Sequence, residues 1–257
     1  MSVEPAESEP TELAAQARWL IDLATEQGLV LRLLGGLAIQ LLTPELPARI
    51  RTGQDLDFGS VRASRKGLTT LLEQQGFVGD RNFNALYGDK QLYFTHGETG
   101  LVIDVMVDRI HMCHMVEFAD RATELPYTLS PTDLLLSKLQ IVELNDKDLE
   151  DILRLLVHFP VAEGDAAAAI ELGVIGALVG EDWGWFKTIS LNLDRISAVL
   201  AAGTPEVIAG GAHDPGAAVQ TLRATLADAP KSRRWRLRDR VGERKRWYDL
   251  PEETEHH

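Results

Sequence analysis

An α/β fold with a mixed sheet, followed by a helical C-terminal region, is predicted by three observations. Short apolar runs separated by turn residues dominate the first half, and 3.6-periodic segments dominate from Ser130 onward. The texture changes at Pro126 to Ser130, which sets a boundary between a unit at 1–128 and a helical unit at 129–257. With 257 residues, 45% of them hydrophobic, the chain can bury one large core or two small ones.

The elements follow in order. Apolar Leu13, Ala17, Leu20, Ile21 and Ala24 predict a helix over 12–27, stopped by Gly28. "LVLRLLGG" reads as a buried strand entering a turn, and "LAIQLL" as the start of a helix broken by Pro44 and Pro47. "DLDFGS" is a short strand, "GLTTLLEQQGF" a helix, and 84–108 a hairpin-rich strand region with turns at Gly88–Asp89 and Gly97; a further strand ends near Tyr127. Helices are predicted over 131–142, 146–158, 165–179, 183–201, 216–228 and 232–246, with a flexible connector at 201–216.

Composition narrows the function. No stretch approaches the roughly 18–20 apolar residues of a membrane helix, and the acidic start "MSVEPAESEP" is unlike a signal peptide. The single cysteine, Cys113, suits a reducing compartment, so a cytoplasmic location is expected. A net charge of −13 argues against general coating of nucleic acid. The charge is uneven, however: Lys231 to Arg246 holds nine basic and two acidic residues, a local +7 that leaves −20 elsewhere.

In "DLDFGS" a period of two points Asp55 and Asp57 to one side and Leu56 and Phe58 to the other. Two carboxylates that close repel unless a cation lies between them, and Mg²⁺ prefers such hard oxygen ligands together with substrate phosphates. Alone, Asp-x-Asp more often caps a turn. Gly35 and Gly36, between a strand and a helix, let the backbone approach a ligand and direct helix-start N–H groups at a phosphate. Asp104 interrupts the apolar strand "LVIDVMV", where a carboxylate is costly without a metal or cationic partner.

The succession of "GG", "DLD" and a lone Asp in a later apolar strand resembles the DNA polymerase β-type nucleotidyltransferase superfamily. "PTDLLLSKLQIVELNDKDLEDILRLL" is similar to the AbiEii toxin-type and related minimal nucleotidyltransferases, in which a lysine on the first helix after the core and a Lys-Asp-x-x-Asp on the next are characteristic; here these are Lys138 and Lys147, Asp148 and Asp151. The resemblance spans about 29–158. The eighteen residues between Gly36 and Asp55 are a longer connection than usual, with "TPELPARI" as an insertion, and Gly53 stands where a hydroxylated residue is common.

Read without the family, Ser130, Pro131 and Asp133 form a helix start. Lys138 then shares a stripe with Leu134, Ile141 and Val142, its stem packed and its ammonium able to reach outward. Asp148 and Asp151 can orient Lys138 or a core arginine, or join helix charge pairs. "HMCHM" and "EDWGWF" read as packed segments, since no second ligand pair follows the histidines.

The resemblance implies a nucleotidyltransferase core at 1–128 that moves an NMP from an NTP to an acceptor and releases pyrophosphate. It implies Mg²⁺ or Mn²⁺ at Asp55, Asp57 and Asp104, with Asp104 also placed to act as base. Gly35 and Gly36 would meet the β and γ phosphates, and Lys138 would steady the triphosphate with Asp148 beside it in the nucleotide site. The acceptor is an RNA, a protein or a small molecule, and a tRNA could bind through 231–246. Toxin activity would follow the AbiEii-like pattern. Two other readings stay open: a catalytically silent NTP-binding module of the same fold, and an interaction protein whose basic arm is the working part.

Overall fold

The computed structural model describes residues 9–47, 55–164, 167–203 and 205–250. The acidic start, the end of the insertion after Pro47, Gly53 and the terminal histidine pair lie outside them.

Helix α1 (Glu9–Glu26) buries Ala17, Leu20, Ile21 and Ala24 on one stripe, and Gly28, at φ +70°, turns the chain into β1 (Leu31–Leu33). Helix α2 (Gly35–Leu42) follows at once, then β2 (Asp55–Ser60), α3 (Arg65–Gln74), β3 (Phe77–Gly79), α4 (Arg81–Tyr87), β4 (Gln91–His96) and β5 (Val102–Val107). These strands form one mixed sheet in the order β1-β2-β5-β4-β3. Only β2 and β5 are parallel, with the intervening segment crossing over between them; the other pairs are antiparallel. The sheet alternates as its sequence does: Leu56, Phe58, Ile103 and Val105 are fully buried, and the aspartates beside them take the opposite face.

A hairpin of β6 (Arg109–His111) and β7 (Met115–Glu117) follows, and the chain returns to bridge Thr128 with Leu33. Helices α5 (Pro131–Leu139) and α6 (Asp146–His158) pack on each other and on α2. Next come a short parallel pair, β8 (Val161–Ala162) and β9 (Ile170–Glu171), and then α7 (Leu172–Glu181), α8 (Trp183–Ala202), α9 (Pro215–Asp228) and α10 (Arg233–Val241). One buried apolar cluster runs from α1 to α9.

Several sequence expectations are corrected. Residues 81–87 are helical, because the Asp80 carboxylate accepts from the Phe83 N–H at 2.9 Å and caps a turn inside the presumed hairpin region. Helix α5 stops at Leu139, where Asn192 Nδ2 takes the carbonyls of Leu139 and Ile141, both at 2.9 Å. Of the helix expected over 165–179, the part from Leu172 forms, while Asp165 and Ala166 lie outside the described residues: β9 pairs with β8, the Glu171 N–H donates to Thr132 Oγ1 at 2.9 Å, and α7 begins at Leu172. There tertiary pairing overrides helix propensity. The connector 201–216 is anchored, since Ile208 is buried and the His213 N–H donates to the Val157 carbonyl at 2.9 Å. Helix α10 ends at Val241 because Gly242 adopts φ +57°.

Candidate functional site

The parallel pairing of β2 and β5 sets Asp57 directly across from Asp104, with Asp55 two residues earlier and opposite Val102. Adjacent strands lie about 4.8 Å apart, so Asp57 and Asp104 are neighbours on one face. Burial, Asp57 and Asp55 together push the Asp104 carboxyl up to about 7, against an opposing hydrogen bond from Gln91. That shift reflects a partly buried carboxyl with two like charges beside it.

Helix α2 starts at this face. The Leu34 N–H donates to the Asp57 carbonyl at 2.8 Å, which ties the helix start to β2. Gly35 has φ +71°, and a Cβ on it would lie 2.6 Å from Asp57 Oδ2. Only glycine satisfies both constraints. Gly36 follows in the first turn, and the Leu34 side chain supplies no cap, so the helix's positive end opens beside Asp57.

Sequence reasoning missed two neighbours on β4. Gln91 Nε2 donates to both oxygens of Asp104, at 2.9 and 2.7 Å, and Tyr93 stands across from Asp104. Burial, then Asp55 and Asp104, raise the Tyr93 phenol. The alternation of Gln91 and Tyr93 with buried Leu92 and Phe94 was visible, but which strand they would pair with was not. Also unforeseen was the pair of half-buried Arg121 and buried Asp133, with Arg121 Nε 3.2 Å from Asp133 Oδ1.

Lys138 turns inward, toward α6. Its Nζ lies 2.8 Å from Asp148 Oδ1 and 2.9 Å from Asp151 Oδ2. Burial opposes its charge, yet Asp151 and Asp148 outweigh that and hold its pKa above the ordinary lysine value. The outward ammonium expected from the stripe is thus replaced by a clasp between α5 and α6. The Lys138, Asp148 and Asp151 cluster carries a formal −1.

Among the described residues, no group of three or more His, Cys, Asp or Glu side chains is gathered closely enough to hold a metal ion by itself. The donors nevertheless fit Mg²⁺, which is commonly held by one or two carboxylates and completed by water and substrate phosphates. Asp55, Asp57 and Asp104 supply hard oxygens on one face.

The other candidate features are packed. His114 Nε2 lies 2.7 Å from Thr188 Oγ1, its ring stacks on Trp185, and burial lowers its pKa to about 4. In the arm, Trp235 packs edge-on against Phe186, Asp239 accepts from Trp183 Nε1 at 2.7 Å, and Glu243 pairs with Lys187. Arg233, Arg234, Arg236 and Arg240 are exposed, and none forms an ion pair with another described residue. No helix among the described residues is long and apolar enough to cross a membrane.

No protein-family model matches the chain, and no curated protein matches it. Solved structures give similarities of shape at low identity. A lincosamide antibiotic adenylyltransferase, LnuA, bound to lincomycin, is 18% identical, with 53% of this chain and 92% of that chain covered and a TM-score of 0.39. The antibiotic-resistance factor ANT(2'')-Ia is 13% identical over 75% of this chain and 94% of its own, with a TM-score of 0.40. An antigenic nucleotidyltransferase-like protein from Paracoccidioides brasiliensis is 15% identical, covering 86% and 95%, with a TM-score of 0.42.

Proposed function

We propose that this chain is a metal-dependent nucleotidyltransferase of the polymerase β type, AbiEii-like in its helical continuation, which transfers an NMP from an NTP to a hydroxyl-bearing acceptor. The observation that carries the reading is the register of Asp57 against Asp104, with Asp55 on the same face and the glycine start of α2 against Asp57.

Asp55, Asp57 and Asp104 would hold the divalent ion, which supplies charge neutralisation at phosphate oxygens and a more acidic acceptor hydroxyl. The chain's own groups do the positioning. The N–H groups at Gly35 and Gly36 would meet the β and γ phosphates, where the positive end of α2 favours anionic oxygens. Asp104 would accept the acceptor's proton, with Gln91, which donates to both of its oxygens, holding that carboxylate in one orientation. Lys138, oriented by Asp148 and Asp151, would add a fixed cation for the triphosphate.

The test uses each of four α-labelled NTPs with Mg²⁺ and a cell extract, separated afterwards into RNA, protein and small-molecule fractions. Label in one fraction, with pyrophosphate released, supports the reading and names the acceptor class. NTP binding without label transfer would leave a silent nucleotide-binding module.

A further inference from the structure

Beyond the C-terminal end of β5, away from the carboxylates, the β6–β7 hairpin, α7, α8 and α10 enclose a cleft of about 1460 Å³. None of Gly35, Asp55, Asp57, Asp104 and Lys138 lines it. One wall is a single face of α10, because Arg234, Leu237, Arg238 and Val241 recur at i, i+3, i+4 and i+7.

That wall exposes apolar surface. Leu237 is 62% and Val241 40% accessible, and Met115, on the hairpin side, is 36% accessible. Nine large apolar side chains are exposed among the described residues, and five of them (Met112, Met115, Leu237, Val241 and Leu250) belong to this hairpin, α10 and the tail. Three of these, Met115, Leu237 and Val241, line the cleft itself, which marks an interaction surface rather than scattered surface hydrophobes.

The α10 wall of the cleft is basic. Arg234, Arg238 and Lys245 border the cleft, and Arg233, Arg236 and Arg240 continue the row on the far side of Leu237. The arm's own acids are already engaged, Asp239 with Trp183 and Glu243 with Lys187. Four carboxylates line the other walls: Asp182 caps α8, Asp249 faces His111 at 3.0 Å, and Glu117 and Glu181 are exposed.

We propose that this cleft docks an acidic amphipathic helix of a partner protein, whose aliphatic side chains cover Leu237, Val241 and Met115 while its carboxylates meet the arginines. Charge complementarity at the α10 wall selects that occupant, since Arg234, Arg238 and Lys245 line the cleft there and the arm carries +7 in a chain that is −20 elsewhere, so the carboxylates of the docked helix lie on its α10 side. An RNA backbone would pair with the arginines but has no use for the aliphatic row. A flat bilayer cannot enter a concave site.

The full chain is titrated with a fluorescein-labelled synthetic helix carrying leucines at i, i+3, i+4 and i+7 and glutamates on the flanks. Parallel titrations use a scrambled peptide of the same composition, a single-stranded RNA oligonucleotide and phosphatidylserine vesicles. The amphipathic helix should bind in preference to all three, more weakly at raised salt. Leu237→Glu should weaken it by at least about tenfold, with the unfolding midpoint and nucleotide binding unchanged. Equal binding of the scrambled peptide, stronger binding of RNA or vesicles, or indifference to Leu237→Glu would each overturn the proposal. So would self-association of the chain that Leu237→Glu abolishes, because a second copy would then be the occupant. None of these readouts depends on nucleotide transfer.

Discussion

Asp57 reaches so close to Gly35 that a methyl group on the glycine would stand 2.6 Å from the carboxylate oxygen. A helix start and the Asp57 carboxylate therefore share one small volume, linked also by the hydrogen bond from the Leu34 N–H to the Asp57 carbonyl. A phosphate on the helix start and a cation on Asp57 would be adjacent by construction.

Gly35→Ala meets this contact and the left-handed backbone at once. The substitution should destabilise the fold by about 1–2 kcal/mol from the backbone alone, and should weaken NTP binding by displacing Asp57. Thermal unfolding and labelled-NTP titration check both. A variant with wild-type midpoint and affinity would show that α2 does not begin as described.

Asp104 gives a pH dependence with a defined sign. Its carboxyl is raised from 3.8 to about 7 in the folded chain, so the folded state holds a proton that the unfolded state has already released. Its contribution to stability falls as pH rises through that window. In EDTA, Asp104→Asn should flatten the fall between about pH 4 and 7, and Mg²⁺ should flatten it in the wild type by favouring the carboxylate. Gln91 lowers this carboxyl, so Gln91→Leu should extend the fall to higher pH. Identical pH profiles for wild type and Asp104→Asn would remove Asp104 from the cluster.

Lys138→Met separates two roles. Loss of the ammonium leaves Asp148 and Asp151 facing each other, which should destabilise the fold by about 3 kcal/mol. Adding Asp148→Asn and Asp151→Asn should restore most of that loss. Nucleotide affinity that stays low in the restored triple variant assigns the charge to the triphosphate; affinity that returns with stability assigns Lys138 to the clasp alone.

Much of this site was legible in the sequence because it violates ordinary strand chemistry. Asp104 among Ile103 and Val105, and paired glycines at the end of "LRLL", are unexpected unless a ligand or cation is present. The Ser130 and Pro131 helix start was legible too, since its signal is local, and the Ser130 hydroxyl does accept from the Asp133 N–H at 3.1 Å. What could not be read depends on long-range pairing. Gln91 acquires its role only when β4 lies beside β5, and Arg121 only when its loop meets α5. Of the two options the sequence left for Asp148 and Asp151, orienting Lys138 or a core arginine, the structure shows the first, because α6 brings both carboxylates to the ammonium. Gly242 was not weighed as a helix stop, so the arm was read as one helix to 246.

The central claim is that the carboxylates facing one another on β2 and β5 serve phosphoryl chemistry. Asp57→Asn removes one charge without changing shape, and the most direct measurement is Mg²⁺-dependent transfer of label from α-labelled NTP to the acceptor fraction, with the unfolding midpoint recorded alongside. The account predicts transfer reduced by at least about 100-fold, with a midpoint equal to or above that of the wild type, because repulsion with Asp104 is relieved. Transfer at the wild-type rate by the folded Asp57→Asn variant would contradict it.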